Sequence, residues 1–455
     1  MAPMSSTNPS FSDLTTIGVG GRIARFVEPR SREAMIDTLR EADRMGSRLC
    51  VLGGGSNLLV SDEAFDGVVV RDARRTIEVL ETRVSTAGPV HDDTVQVRAQ
   101  AGCHWDDFVS RCIAMGLAGV EGLSGIPGTV GASVVQNIGA YGQEVSTSVD
   151  EVEVWDRLAG RIARMSRTDM RFGYRVSALK RSMLAGAATP SPTSTSASVP
   201  VPSSACAPDV AVGEAGHADY AGRTGRNRFF PSPRYIVLSV TFLLRRDVQG
   251  VLGYGQLASA LHAEVGDRMP TAAIRAAVLA VRAAKGMLED AHRYEQPFMR
   301  GVVDESNLRA AVSAQSACTG SDGPDYDRHS CGSFFMNPVL TPDEAATLPP
   351  QAPRFPARDD AGREAVKTSA AWLIDHAGFH KGFSVGSGAT ASLSTRPHPG
   401  ADQPRRRARG RRGAPRPRGP GRCAGEVRRA SGTRTRGRRT RPRMSLAPVR
   451  VVHRG

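Results

Sequence analysis

Residues 51–60 read VLGGGSNLLV, placing glycines and small polar residues between two apolar runs. Glycine tolerates the left-handed backbone and lets the main chain approach a ligand closely, so successive N–H groups there can turn toward a phosphate. Gly53, Gly54, Gly55, Ser56 and Asn57 are therefore candidate anion-binding residues. A Rossmann or Walker loop would open a helix with its own glycine spacing, whereas LLV here reads as a continuing strand. A plain tight hairpin is the competing reading of this stretch alone. A second stretch, GLSGIPGTVGASVVQNIGAYGQE at 122–144, gathers six glycines with few charges. That density suits backbone wrapped around a large planar or phosphorylated ligand, with Ser124, Thr129, Ser133 and Asn137 as polar handles. A glycine-rich loop with no ligand is the alternative. Together the two stretches point to a dinucleotide held outside the Rossmann fold.

Elements of mixed type must position these loops. Met35, Leu39 and Ala42 recur at helical spacing after the candidate cap Ser31, and RLCVL (48–52) and GVVVR (67–71) read as strands. TVQVRAQ (94–100) alternates as a strand does, and Trp105, Phe108, Val109, Cys112 and Ile113 mark one face of a helix. RYIVLSVTFLL (234–244) is a strand by composition, and 271–285 predicts a helix with Ile274, Val278 and Val281 on one side. KTSAAWLIDHAG (367–378) predicts a short helix. Residues 183–233 are rich in Pro, Ser, Thr and Ala without apolar period, which predicts a disordered insertion. The polar stretch 301–328 reads as a second surface insertion.

The chain of 455 residues has a net charge of +15. From Arg396 onward it holds 20 arginines against one Asp and one Glu, a net +18, so residues 1–395 are net −3. A basic pI therefore says nothing about the ligand of the body; it belongs to the tail. The tail lacks aromatic residues for stacking bases, so specific nucleic-acid recognition is not expected, only salt-dependent polyanion binding. Seven scattered cysteines without a C-x-x-C pair argue against a disulfide framework or a zinc site, and no metal is expected. No apolar run reaches the ~18 residues a membrane span requires, and the first residues carry no signal pattern. A cytoplasmic protein that does not engage a membrane is expected. His376 and His380 lie four residues apart, but no third ligand follows, so they read as surface or core histidines.

The two glycine stretches resemble the flavin-binding signatures of the UDP-N-acetylenolpyruvoylglucosamine reductase family. Further motifs follow in that family's order: LTTIGVGG (14–21), FGYRVSALKR (172–181), GYGQL (253–257), RAAKGM (282–287), GSFFMNP (332–338) and AAWLIDHAGFHKG (370–382). The resemblance covers 14–395 apart from the two insertions. It implies an α+β protein with an FAD-binding domain of vanillyl-alcohol-oxidase type at 12–182, built of two α/β subdomains. A third α/β domain at 234–395 would bind the UDP-sugar substrate, and 396–455 would be a disordered basic tail.

The resemblance further implies FAD as cofactor and NADPH as hydride donor. The FAD hydride would reduce UDP-N-acetylglucosamine enolpyruvate to UDP-N-acetylmuramate for peptidoglycan. Gly53, Gly54, Gly55, Ser56, Asn57, Ser124, Gly125, Ile126, Pro127, Gly128, Gly131, Ala132, Asn137 and Gly139 match positions holding FAD. Arg175 matches the arginine that holds the substrate carboxylate as it gains enolate charge, a task suited to a cationic fork. Ser333 matches the serine that protonates the enolate carbon, for which its hydroxyl needs polarising neighbours. Tyr254, Lys285 and Asn337 match positions that hold the UDP group; a lysine point charge suits a diphosphate. Taken alone, Arg175 would read as a surface charge, Ser333 as a turn residue and Lys285 as a cation complementing a helix C-terminus. Cys331 and Val134 depart from the usual Ala and Pro without touching a reacting group. Oligomeric state is not set by the sequence.

The large departure is the C-terminus. In the family SLST runs into a strand like HTLALTN and ends near a catalytic glutamate; here RPHPGADQPRRR follows. The codons of 397–404, read one base later, permit His-Thr-Leu-Ala-Leu-Thr-Asn at every triplet. A one-base shift near codon 396 accounts for this, and no residue takes the place of the glutamate. A catalytically impaired FAD-binding chain with a polyanion-binding tail is the alternative function.

Overall fold

The helix read from residue 31 onward forms because Ser31 caps it. The Ser31 side chain accepts from Ala34 N at 3.0 Å, and Met35, Ile36, Leu39 and Ala42 line its buried face. The computed structural model describes residues 8–80, 84–85, 88–89, 93–183, 232–319, 328–329, 335–359, 362–384, 391–394 and 451–453. The first strand is β1 (Ile23–Val27), followed by α1 (Arg32–Arg44), β2 (Leu49–Val51) and β3 (Phe65–Val70). These strands pair in parallel in the order β1-β3-β2. Leu49, Val68 and Val70 pack on Met35 and Leu39, an apolar contact that seats α1 against the sheet.

An antiparallel sheet follows, built from β4 (Ile77–Leu80) and β5 (Thr94–Gln100). After β5 come α2 (Trp105–Ala114) and α3 (Val130–Val135), then β6 (Val149–Asp156), β7 (Arg161–Ser166) and β8 (Tyr235–Arg246). Its main path runs β7-β6-β8-β5-β4, with Leu117–Ala118 pairing on the end of β8. The alternation in TVQVRAQ places Val95, Val97 and Ala99 in the core. There they meet α2, whose Trp105 and Phe108 stack around Phe242 of β8, with Phe108 and Phe242 centroids 4.4 Å apart. Each of these fully buried rings contributes ~1.5–3 kcal/mol.

The same unit also holds the helices α4 (Thr271–Ala284) and α5 (Glu305–Thr319). Helix α4 buries Ile274 and Val278, as its spacing predicts. A second compact unit spans Phe335–Phe379. It holds β9 (Val339–Leu340), β10 (Arg354–Arg358) and β11 (Glu364–Thr368) in an antiparallel sheet, with α6 (Ala370–His376) capped by Ser369. His376 in that helix stacks on Trp372 at 3.7 Å, a packing role. No helix among the described residues is long and apolar enough to cross a membrane.

Several expectations shift. The domain boundary drawn at 234 falls just before β8, which lies between β6 and β5 in the sheet of the first unit. The strand belongs there because its apolar residues face the same core as α2. The stretch after Gly55 does not continue as strand: Leu58 and Val60 pack beside Phe65 without joining a ladder. The polar stretch 301–328 contains α5, tied to α2 by Asn307 Nδ2 donating to Asp107 Oδ1 at 2.6 Å. The helix expected over 367–378 is shorter, because 364–368 is taken by β11. Residues 184–231 of the first insertion lie outside the described residues. So does the tail, except Val451–His453, which pair with Ala391–Leu393.

Candidate active site

The two glycine stretches meet backbone to backbone. A Cβ on Gly54 would lie 2.6 Å from Gly128 Cα, and one on Gly55, at φ +66°, would lie 2.2 Å from Leu14 O. No other residue type fits either position without moving main chain. The contact is fastened by side chains: Ser56 Oγ donates to Pro127 O at 3.2 Å, and Asn57 Nδ2 donates to Gln136 Oε1 at 2.9 Å. Trp105 N donates to Gly128 O at 3.0 Å, which anchors the second loop on α2.

A cleft opens where the loops join, walled by Ser56, Asn57, Ile126, Pro127, Gly128 and Ala132. Gly139 and Arg175 close another side. Arg175 sits in a tight turn in which Gly173 and Val176 exchange backbone hydrogen bonds, and its φ is +58°. A side-chain-bearing residue there costs roughly 1–2 kcal/mol, so the position is strained. Its Nη2 donates to Gly139 O at 3.2 Å, using one of the five N–H groups a guanidinium offers. Lys180 stands behind the turn, its Nζ donating to Arg175 O at 3.1 Å. Burial first, then the Arg175 charge, hold the Lys180 ammonium below its ordinary pKa.

The end of α4 supplies the remaining wall through Arg282, Met287, Leu288 and Glu289. Helix α4 is held on α2 by Arg275, which grips Asp106 with both Nη atoms at 2.6 and 2.8 Å. Burial would raise the Asp106 carboxyl, but Arg275 and the Gly125 N–H hold it below the usual range. Arg282, 4% exposed, donates to Gly125 O at 3.0 Å and so ties the helix to the second glycine loop. Burial would likewise raise Glu289, but His104 and Arg293 keep it anionic.

The structure therefore brings Ser56, Asn57, Ile126, Pro127, Gly128, Ala132, Gly139 and Arg175 to one cleft. Gly53, Gly54, Gly55 and Gly131 shape it from behind, by allowing loops and α3 to pack closely. Ser124 and Gly125 support it as well: Ser124 Oγ donates to Glu121 O, and Gly125 is held between Asp106 and Arg282. Asn137 was expected to face the ligand, yet it is buried and donates to Gly173 O at 2.9 Å and Glu144 Oε2 at 3.1 Å. Its amide steadies the Arg175 turn instead. Tyr254 stands edge-on to Tyr141, 5.7 Å between centroids, and Lys285 Nζ donates to Gln256 Oε1 at 2.6 Å. Both lie beside the α4 end and outside the cleft wall. Asn337 belongs to the second unit, where its Oδ1 accepts from Ala370 N at 3.1 Å. Ser333 lies outside the described residues.

Sequence reasoning did not single out Thr16, Gln136, Arg282, Glu289 or Arg328, all of which line the cleft. Thr16, Gln136 and Arg282 lie inside quoted motifs, so motif position was the available signal. Glu289 and Arg328 carry none.

Residues 23–166 match the family model of an FAD binding domain, and residues 324–397 match that of the UDP-N-acetylenolpyruvoylglucosamine reductase C-terminal domain. The chain is 37% identical over 390 residues to the UDP-N-acetylenolpyruvoylglucosamine reductase of Thermobifida fusca, covering 83% of each chain. It is 37% identical over 393 residues to that of Saccharopolyspora erythraea, covering 84% of this chain and 81% of the other. A solved UDP-N-acetylenolpyruvylglucosamine reductase from Thermus caldophilus aligns with TM-score 0.40 and 22% identity, covering 85% of this chain and 84% of that one.

Proposed function

The chain belongs to the UDP-N-acetylenolpyruvoylglucosamine reductase family, and from that premise we propose that the cleft over the two glycine loops binds FAD beside Arg175. Its function is FAD-dependent reduction of the enolpyruvyl UDP-sugar in peptidoglycan precursor synthesis. The observation that carries the site reading is the loop contact itself. Backbone at Gly54 lies against Gly128 too closely for a Cβ on Gly54, and Gly128 holds a left-handed φ of +125°, which leaves peptide N–H groups and small polar side chains to line a space suited to a dinucleotide. Ile126, Pro127 and Leu288 add apolar surface against which a planar ring can lie.

Bound FAD supplies the hydride for the reduction, replenished from NADPH. The work of this chain's residues is then positional and electrostatic. Arg175 holds the enolpyruvyl carboxylate and stabilises the negative charge that spreads onto it when the neighbouring double bond is reduced. Its strained turn is fixed from behind by Asn137, so the fork does not have to be ordered when substrate arrives. Ser333 delivers the proton to the enolate carbon. Tyr254, Lys285 and Asn337 hold the UDP group, with the Lys285 ammonium against the diphosphate. NADPH as donor, a cytoplasmic location and the absence of specific nucleic-acid or membrane partners belong to the same proposal.

Purified protein is expected to be yellow, to release FAD on denaturation and to oxidise NADPH only when the enolpyruvyl UDP-sugar is present. A colourless protein that takes up no FAD would end this reading. Gly54→Ala gives a sharper check on the loops. Forcing a methyl against Gly128 backbone costs about 1–3 kcal/mol, so FAD affinity is expected to fall roughly ten- to hundredfold, read by fluorescence titration of apoprotein. Unchanged affinity would mean that the loop contact has no bearing on the cofactor.

A second reading, a flavin-binding chain with impaired turnover, is favoured by one observation. The C-terminal family match stops at residue 397, one residue past the start of the arginine-rich segment. Retention on heparin together with bound FAD and no turnover would support it.

A further inference from the structure

We propose that Arg293, held in place by Glu289, is a positioning residue that orients the first glycine loop toward the cofactor phosphates. The inference rests on the reading above that this loop serves FAD. The Arg293 side chain is 9% exposed and divides its donors between two tasks. Nη1 donates to Glu289 Oε1 at 2.5 Å, while Nη2 donates to Gly54 O at 2.7 Å and to Leu14 O. In a trans peptide the carbonyl and the following N–H point in opposite directions. A cation fixed on Gly54 O therefore turns the Gly55 N–H away from Arg293 and polarises it as a donor. The next peptide is treated alike, because Thr16 N donates to Gly55 O at 3.1 Å. With the Gly54 carbonyl bound by Arg293 and the Gly55 carbonyl by Thr16 N, the N–H groups of Gly55 and Ser56 are each turned away from those donors, and Ser56 lines the cleft.

The second half of the device fixes the arginine. Glu289 lines the cleft, and its Oε2 accepts from Tyr294 Oη at 2.7 Å and stands 3.3 Å from His104 Nε2. The other ring nitrogen of His104 lies 3.7 Å from Asp107 Oδ1. Burial opposes charge on this imidazole, yet the neighbouring carboxylates of Asp107 and Glu289 outweigh it and lift its pKa to about 9. Glu289 is thus an anion wedged between two cations. A buried ion pair is weak evidence of a purely stabilising role, since apolar packing of equal volume often holds a fold as well or better. Here the pair ends on the carbonyl oxygen of the central loop glycine, which ties its charge to the direction of the loop dipoles.

The test is FAD titration of flavin-stripped apoprotein by fluorescence quenching, paired with thermal unfolding of the same apoprotein. Arg293→Ala is expected to weaken FAD binding about ten- to hundredfold, the range for hydrogen bonds made by a charged group. Arg293→Lys keeps the charge but loses the planar fork, and is expected to weaken binding at least about fivefold. Glu289→Gln is expected to give a smaller loss. Combined with Arg293→Ala it is expected to add nothing, because Glu289 acts through the arginine. An affinity for Arg293→Ala within about twofold of the parent overturns the inference. Additive losses in the double variant, or losses explained by the unfolded fraction alone, do the same. Should the alanine variant not fold, the lysine variant carries the comparison. If the parent apoprotein itself takes up no FAD, the cofactor reading has failed, and that is visible before any variant is made.

Discussion

Arg175→Gly is expected to remain folded, with a Tm within a few degrees of the parent, while kcat/KM for the enolpyruvyl substrate falls about 10²- to 10³-fold. The stability half follows from the backbone. At φ +58° an arginine carries roughly 1–2 kcal/mol of strain that glycine does not. Against that relief stand the greater unfolded-state freedom of glycine, about 0.5–1 kcal/mol, and one lost hydrogen bond to Gly139 O worth about 1 kcal/mol. These nearly cancel. The rate half follows from the role proposed for Arg175, since a preorganised donor on the developing oxyanion would then be lost without replacement. Arg175→Lys should fall between, retaining charge but not two-point recognition. Thermal melts and steady-state kinetics on FAD-loaded protein decide both halves. Turnover of the glycine variant within about threefold of the parent would remove Arg175 from the reaction, and a collapse in Tm would refute the strain argument.

The second large effect lies at the other end of the chain. A version of this protein read one base later from codon 396 is expected to turn over substrate at least about 10²-fold faster than the 455-residue chain, if that frame restores the closing glutamate that the family resemblance implies. The codon degeneracy of 397–404 admits a family-like strand, and the C-terminal family match ends at 397. Parallel assays of the two chains, with nucleotide sequence across codons 390–410, test it. Equal turnover would show that the arginine-rich segment displaces nothing the reaction needs.

Much of the scaffold was legible because its signals are local. Ser31 and its apolar period gave α1, and the alternation in 94–100 gave β5. Both glycine stretches were marked by composition, and the family motifs pointed to Arg175. The polar cluster behind the first loop was not legible. Glu289 meets His104 across 185 residues and Arg293 meets Gly54 across 239, and no spacing pattern links charged residues that far apart. Asn137 looked like a ligand handle because sequence gives residue type and not side-chain direction. Strand β8 was recognised as a strand but assigned to the following domain, since the long polar stretch ahead of it has the composition of a linker.

That placement of β8 has a practical side. Its ladder partners β5 and β6 both lie before residue 184, whereas β8 itself begins after 231. Opening the chain between those points would therefore not release two self-sufficient products. One piece would hold a sheet with its middle rung missing, and the other would hold that rung together with Phe242, the aromatic partner of Trp105 and Phe108. Each piece lacks a strand or ring that the other supplies, so a chain cut there is expected to recover yellow colour only when both fragments are present together.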